Sequence, residues 1–304
     1  MKTNKKSLFK QMYRCRLLYL MIAFGFITTF IFAYLPLWGV VIAFKDYSSR
    51  AGIWGSEWVG LKHFERFLNY PYFSNIIINT IRINVVGLCI NFPLVIIFAL
   101  MLNEMKSQKL KRICQQITYM PYFISTVVVA SMAILMLNRT GLFNLIIAKF
   151  GGQPTDLMSE PAAFPYIYAL TGTWTGLGWG TIIYLASLSG VSQELIEAAR
   201  IDGAGRFRVI WHVNLPHLKP TIMTLLILDM GSMLSVGFEK VLLMQNPLNS
   251  STSEVISTYT YQVGLVQQQL SYSSAIGLFN NAVNVLFILA ANKLSKKLTD
   301  IGLF

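Results

Sequence analysis

Six stretches of this 304-residue chain are too long and too apolar to be at ease in water: 17–44, 76–102, 113–137, 164–188, 221–244 and 275–292. A helix needs roughly 20 apolar residues to cross the hydrocarbon core of a bilayer. Inside that core each backbone N–H and C=O must be paired within the protein, which leaves the helix as the solution for single segments. Hydrophobic residues make up 54% of the chain and charged ones 12%, against about a quarter charged in soluble domains. The expectation is an all-α membrane protein with six transmembrane helices. The first stretch follows a basic tail, yet its uncharged run far exceeds the roughly 7–15 residues of a signal-peptide core, so it reads as a retained anchor. Pro36 is expected to end or kink that helix.

Orientation follows from Lys and Arg placement. On one side of the membrane fall Lys2, Lys5, Lys6, Lys10, Arg14 and Arg16 in the tail, and Lys106, Lys109, Lys111 and Arg112 in the second loop. Arg200, Arg206, Arg208 and Lys219 in the fourth loop and Lys293, Lys296 and Lys297 at the end join them. The other side holds Lys45, Arg50, Lys62, Arg66, Arg139 and Lys149. Both termini are therefore expected in the cytoplasm. The division is a basic tail over 1–16, a six-helix domain over 17–292 containing a cytoplasmic loop at 189–220, and a tail over 293–304. The net charge of +12 is absorbed by this asymmetry and calls for no nucleic-acid partner. Cys15, Cys89 and Cys114 are odd in number and far apart, which excludes a disulfide framework or a metal knuckle.

The loop between the fourth and fifth stretches reads SGVSQELIEAARIDGAGRFRVIWHVNLPHLKPT. Ser192 is placed to cap a helix, with Glu194 in its first turn favoured by the helix dipole. The run Asp202-Gly203-Ala204-Gly205 reads as a turn, because glycine tolerates the left-handed backbone that ends helices. A second short helix carrying Phe207, Ile210 and Trp211 is expected to close at Leu215-Pro216, and Pro220 suits the first turn of the fifth span.

Glu197-Ala198-Ala199, three residues, Gly203, nine residues, Val213, one residue, Leu215-Pro216 resembles the EAA loop of ABC-importer permeases, with Val213 replacing an isoleucine. The segments YLPLWGVVIAFKDYS, WVGLKHFERF, SEVISTYTYQVGL and SYSSAIGLFNNAVNVLFILAANKLSKKL look like the carbohydrate subgroup serving oligosaccharides and polysaccharide fragments. The resemblance implies the type I ABC-importer permease fold in the bacterial cell membrane. It implies that Glu197, Ala198, Ala199, Asp202, Gly203, Leu215 and Pro216 form a coupling element docking on an ATPase. Implied partners are a second homologous permease, two ABC ATPase subunits, an extracytoplasmic solute-binding protein (a lipoprotein in Gram-positive bacteria) and the carbohydrate. The chain holds no G-x-x-x-x-G-K-[ST] loop and no cofactor is expected in it, so ATP and Mg belong to the partner ATPase and this subunit is not itself an enzyme.

Polar groups within spans cost several kcal/mol unless they face water or partners. Asp229, Asn280, Asn284, Trp174, Trp179 and Glu239 are therefore candidates for the solute pathway: carboxylate and amides for hydroxyls, indole rings for apolar sugar faces. The same residue types also glue helices together, and TGTWTGLGWGT equally serves close packing. A secondary transporter is the competing class; it would need internal repeats, and none is visible.

Overall fold

The structure, a computed structural model, describes residues 13–300 and 302–303; Lys2, Lys5, Lys6 and Lys10 lie outside the described residues. Its regular structure is helical apart from a ribbon pairing β1 (Lys45–Asp46) antiparallel with β2 (Glu57–Trp58). The helices used below are α1 (Arg16–Phe44), α2 (Lys62–Leu68), α3 (Phe73–Asn103), α4 (Gln108–Tyr119), α5 (Thr126–Leu137), α6 (Leu142–Lys149) and α7 (Phe164–Leu188). They continue with α8 (Gln193–Ile201), α9 (Arg206–Val209), α10 (Leu215–Met230), α11 (Phe238–Met244), α12 (Ile256–Tyr261) and α13 (Leu270–Thr299).

The expectation of six uninterrupted spans is corrected. Four helical segments among the described residues are long and apolar enough to cross a membrane: Arg16–Phe44, Phe73–Asn103, Thr126–Lys149 and Leu270–Lys297. The third expected stretch, 113–137, breaks at Ile124-Ser125. Pro121 lacks an N–H to extend α4, and Ser125 recaps the chain by accepting from Val128 N at 3.4 Å. The apolar segment is thereby displaced onto α5 and α6, joined through a turn at 138–141. The fourth helix occupies the expected residues, but its threonines, glycines and tryptophans make it less apolar than the other four. The fifth is discontinuous: α10 ends at Met230, and α11 begins at Phe238.

At Pro36 the chain stays helical but changes type: α1 widens into a π turn at Phe30–Tyr34 and tightens into a 3₁₀ segment, Leu35–Phe44. Leu215-Pro216 does not close a second loop helix. A π turn over Ile210–Asn214 joins α9 to α10, with Leu215 N–H reaching Ile210 O. The wide turn accommodates a proline that cannot make the usual i→i−4 bond.

Helices α3 and α7 form the longest pairing in the molecule. Glycine makes it close: a Cβ at Gly180 would sit 3.1 Å from Val95, and one at Gly178 would collide with the Thr118 carbonyl of α4. Three apolar cores result. One lies at the end carrying the 193–205 loop (Val95, Leu100, Tyr184, Leu188, Leu218); one lies at the far end (Phe67, Ile76, Tyr259, Tyr272, Ile276). The third joins α5, α7 and α11. Helix α1 stands apart: the α-helical part, Arg16–Thr29, buries no residue, and α13 packs on its 3₁₀ segment.

Candidate functional site: a broken helix beside a polar cavity, and an uncovered loop

The break between α10 and α11, Gly231 to Gly237, is rich in glycine and serine, residues that propagate a helix poorly. Non-helical backbone at membrane depth is tolerated where protein buries it or where it lines a cavity. Both conditions hold. Asn284 Oδ1 accepts from Leu234 N–H at 2.9 Å, and its Nδ2 donates to Ser235 Oγ at 2.9 Å. Asn84 Nδ2 donates to Met233 O at 2.8 Å, Tyr168 OH accepts from Gly237 N–H at 3.2 Å, and Ser257 Oγ donates to Val236 O at 3.2 Å. Side chains of α3, α7, α12 and α13 thus replace the missing helical bonds.

Against this break lies a cavity of about 270 Å³, walled by α3, α7 and the end of α10. Asn84, Asn91, Tyr168, Thr173, Asp229 and Ser232 supply its polar lining. Thr173 Oγ1, on the same wall, is buried and makes no hydrogen bond among the described residues. Lys240 backs the wall: its Nζ donates to Tyr168 O at 2.7 Å and lies 4.2 Å from the Tyr168 ring centre.

Of the expected pathway residues, Asp229 lines this cavity. Asn284 is buried, with its amide bonded to Leu234 N–H and Ser235 Oγ at the break. Asn280 is half-buried, with an orphaned Oδ1, and lies outside the lining. Trp174 lines an apolar groove with Met132 and Leu170, Trp179 stacks at 4.5 Å on Tyr122, and Glu239 is exposed on α11. The reading missed Asn84 and Asn91. A signal existed: they lie seven residues apart, on one face of α3.

The second feature is the loop. Helix α8 follows Ser192, whose backbone is extended (φ −60°, ψ 126°) as at an N-cap, though its side chain makes no capping bond. Gly203 ends it at φ 77°. Ala204 N–H reaches Ala199 O at 2.9 Å and Gly203 N–H reaches Arg200 O at 3.0 Å, the paired bonds of a Schellman ending. Glu197, Ala198 and Asp202 are exposed, Ala199 half-buried, Leu215 half-buried and Pro216 exposed. Helix α8 buries no residue, and Ile201 and Phe207 are 86% and 88% exposed.

The loop's base, by contrast, is fastened firmly. Asn214, fully buried, donates to Glu104 Oε1 at 3.3 Å. His217 Nε2 donates to Ser187 O at 3.1 Å, and Thr221 Oγ1 donates to Ser187 Oγ at 3.0 Å. An apolar surface held out by a rigid base is built to meet another protein.

A helical membrane body with a discontinuous helix at a polar cavity, and a stiffly mounted apolar loop at one end, defines an integral-membrane translocation subunit. The chain belongs to the family of binding-protein-dependent transport system inner membrane components, which it matches over residues 91–300. It is 42% identical over 304 residues, all of this chain and 95% of the relative, to the polygalacturonan/rhamnogalacturonan transport system permease protein YteP of Bacillus subtilis (strain 168). Protein LplB of the same organism is 42% identical over 292 residues, 96% of this chain and 92% of the relative. A solved chain from a bacterial ABC transporter involved in import of the acidic polysaccharide alginate superposes with a TM-score of 0.87 at 34% identity, covering 96% of this chain and 99% of that one. The chain has the all-α ABC-importer permease fold, is a multi-pass membrane protein and is non-catalytic; ATP hydrolysis belongs to a separate subunit.

Proposed function

We propose that this chain is one permease subunit of an importer of oligosaccharides or polysaccharide fragments, working with a second permease, two ATPase subunits and a solute-binding protein. The four long apolar segments are joined by α7 and the discontinuous α10–α11 pair as the fourth and fifth of six spans, with both termini and the 193–205 loop in the cytoplasm. The oligosaccharide class draws support from two of the similar proteins, one named for polygalacturonan/rhamnogalacturonan transport and the other described as involved in alginate import. The cavity at the broken helix is this subunit's share of the pathway, offering Asp229 and Asn91 to sugar hydroxyls. Weak, replaceable hydrogen bonds of this kind suit passage better than capture.

The observation that carries the coupling role is the exposed apolar pair Ile201 and Phe207 on a loop whose base is locked by Asn214 and His217. A groove on an ATPase would cover that pair, and Glu197, Ala198 and Ala199 would enter with it. Phe207→Ser should leave the subunit inserted and folded, because the ring touches little of its own chain. Copurification of the ATPase from membranes and solute-stimulated ATP hydrolysis should both fall at least tenfold, in keeping with loss of an anchoring aromatic. Full copurification and hydrolysis in that variant would remove the coupling assignment.

A further inference from the structure

We infer that the end of the molecule away from the coupling loop carries a saccharide subsite selective for acidic sugars, with Arg66 as the group that reads the carboxylate. The inference rests on the importer reading above and names a feature of the solute.

The site is a cavity of about 450 Å³ where the end of α2, the Tyr70-Pro71 turn, α12 and the start of α13 converge. Its floor is aromatic. Tyr70 stacks on Tyr259 at 4.8 Å, and Tyr259 and Tyr272 share a hydroxyl–hydroxyl bond of 3.1 Å. Tyr272 is 2% exposed and packs in the core, and the Arg66 guanidinium lies 4.1 Å from its ring centre. That stacking presets the guanidinium while leaving its N–H groups unspent. Among the described residues Arg66 has no carboxylate partner; the ion pair nearby is Lys62–Asp46 at 3.5 Å.

Two amides flank the cation. Gln267 Oε1 accepts from Gln269 Nε2 at 3.0 Å, which leaves the Gln267 NH₂ as a donor; Asn69 likewise makes no side-chain bond among the described residues. The loop that presents Gln267 is held in an uncommon backbone state, Gln268 at φ 59°, by Gln269 N–H to Val263 O at 2.9 Å. Tyr70 is also a wall of a neighbouring cavity of about 350 Å³ containing Asn75, Ser250, Ser251 and Glu254. One tyrosine with a polar hollow on each side can follow successive units of a sugar chain.

The chemistry selects the ligand. A planar guanidinium matches a carboxylate in bidentate geometry, which a neutral sugar cannot exploit. Side-chain amides exchange hydrogen bonds with hydroxyls, and tyrosine rings contact sugar C–H faces. A uronate-bearing oligosaccharide uses all three; a simple anion uses one.

The test is equilibrium binding of a short oligogalacturonate, and of its methyl ester, to the purified complex without binding protein or ATP. Arg66→Gln should weaken binding of the acid about tenfold or more, the scale of a charged hydrogen bond, and leave the ester unchanged. Arg66→Lys should recover part of the loss, and added salt should weaken the acid alone. Equal loss for acid and ester would overturn the assignment. So would loss of binding-protein-stimulated ATP hydrolysis with unchanged sugar binding, which would make the surface a docking face for that protein. Should Arg66→Gln fail to assemble, Arg66→Lys carries the comparison, with equal acid and ester affinities counting against the subsite. A wild-type complex that neither binds nor transports either probe would overturn the solute class and the subsite with it. Transport of both, with Arg66→Gln indifferent, would overturn the subsite only.

Discussion

At Gly203 a single residue carries the ending of α8. Its φ of 77° is open to glycine and costs an L-residue about 1–2 kcal/mol, more when the side chain is branched. No heavy atom lies within 4 Å of a Cβ placed there, so the penalty is one of backbone rather than collision. Gly203→Val is expected to tilt α8 and to uncouple ATP hydrolysis from uptake while membrane insertion stays normal; parallel assays of uptake and ATPase activity check this. Glu254 offers a different residue-scale expectation. Burial pushes its carboxyl pKa above the ordinary 4.5, so the folded state resists its ionisation. Stability from this group is therefore lost as pH rises from about the ordinary value through the raised one. Glu254→Gln should raise the melting temperature at neutral pH, with the gain vanishing once the pH is below 4.5, where the carboxyl is protonated in both states. Equal melting of both forms at neutral pH would refute it.

Among the elements, the discontinuous α10–α11 pair is where apolarity misled. Residues 221–244 are apolar enough to read as one helix, yet Gly231, Ser232, Ser235 and Gly237 weaken its middle, and partner side chains meet Met233 O, Leu234 N–H, Val236 O and Gly237 N–H. Asn284 is the strongest of these, bonding Leu234 N–H and Ser235 Oγ. Asn284→Leu strands a buried N–H, at a cost of about 1–3 kcal/mol. A lower melting temperature in detergent is expected, with uptake falling because the cavity wall shifts; an unaltered melting curve would show the break to be held by other bonds. The turn that ends α8 at Gly203 was legible in advance, because a glycine turn is local chemistry, whereas the expected Ser192 cap does not form. The placement of Asn284 was not legible. On a helical wheel a buried amide facing a cavity and one facing a broken helix look alike, and only the neighbour distinguishes them.

At the scale of the whole molecule, the subunit is visibly incomplete. Large apolar side chains cover α1 and much of α5 and α6, and lipid or a sister permease must cover them, since no driving force in water would leave them open. The orientation proposed above puts Cys114, on α4, at the cytoplasmic side. In a Cys15→Ser, Cys89→Ser background, a membrane-impermeant thiol reagent should miss it in intact cells and label it in inside-out vesicles. Labelling from outside would reverse the topology. What the sequence determined by itself was the solvent, the charge asymmetry and the glycine-ended turn of the 193–205 loop, because hydrophobicity, Lys/Arg placement and turn chemistry act over a few neighbouring residues. What only the tertiary structure decided was the break in the fifth span, the Asn84–Asp229 cavity and the stacking that aims Arg66. Each depends on residues from distant parts of the chain meeting in space, and a helix in hydrocarbon stays whole or opens according to whether those residues arrive to pair its backbone.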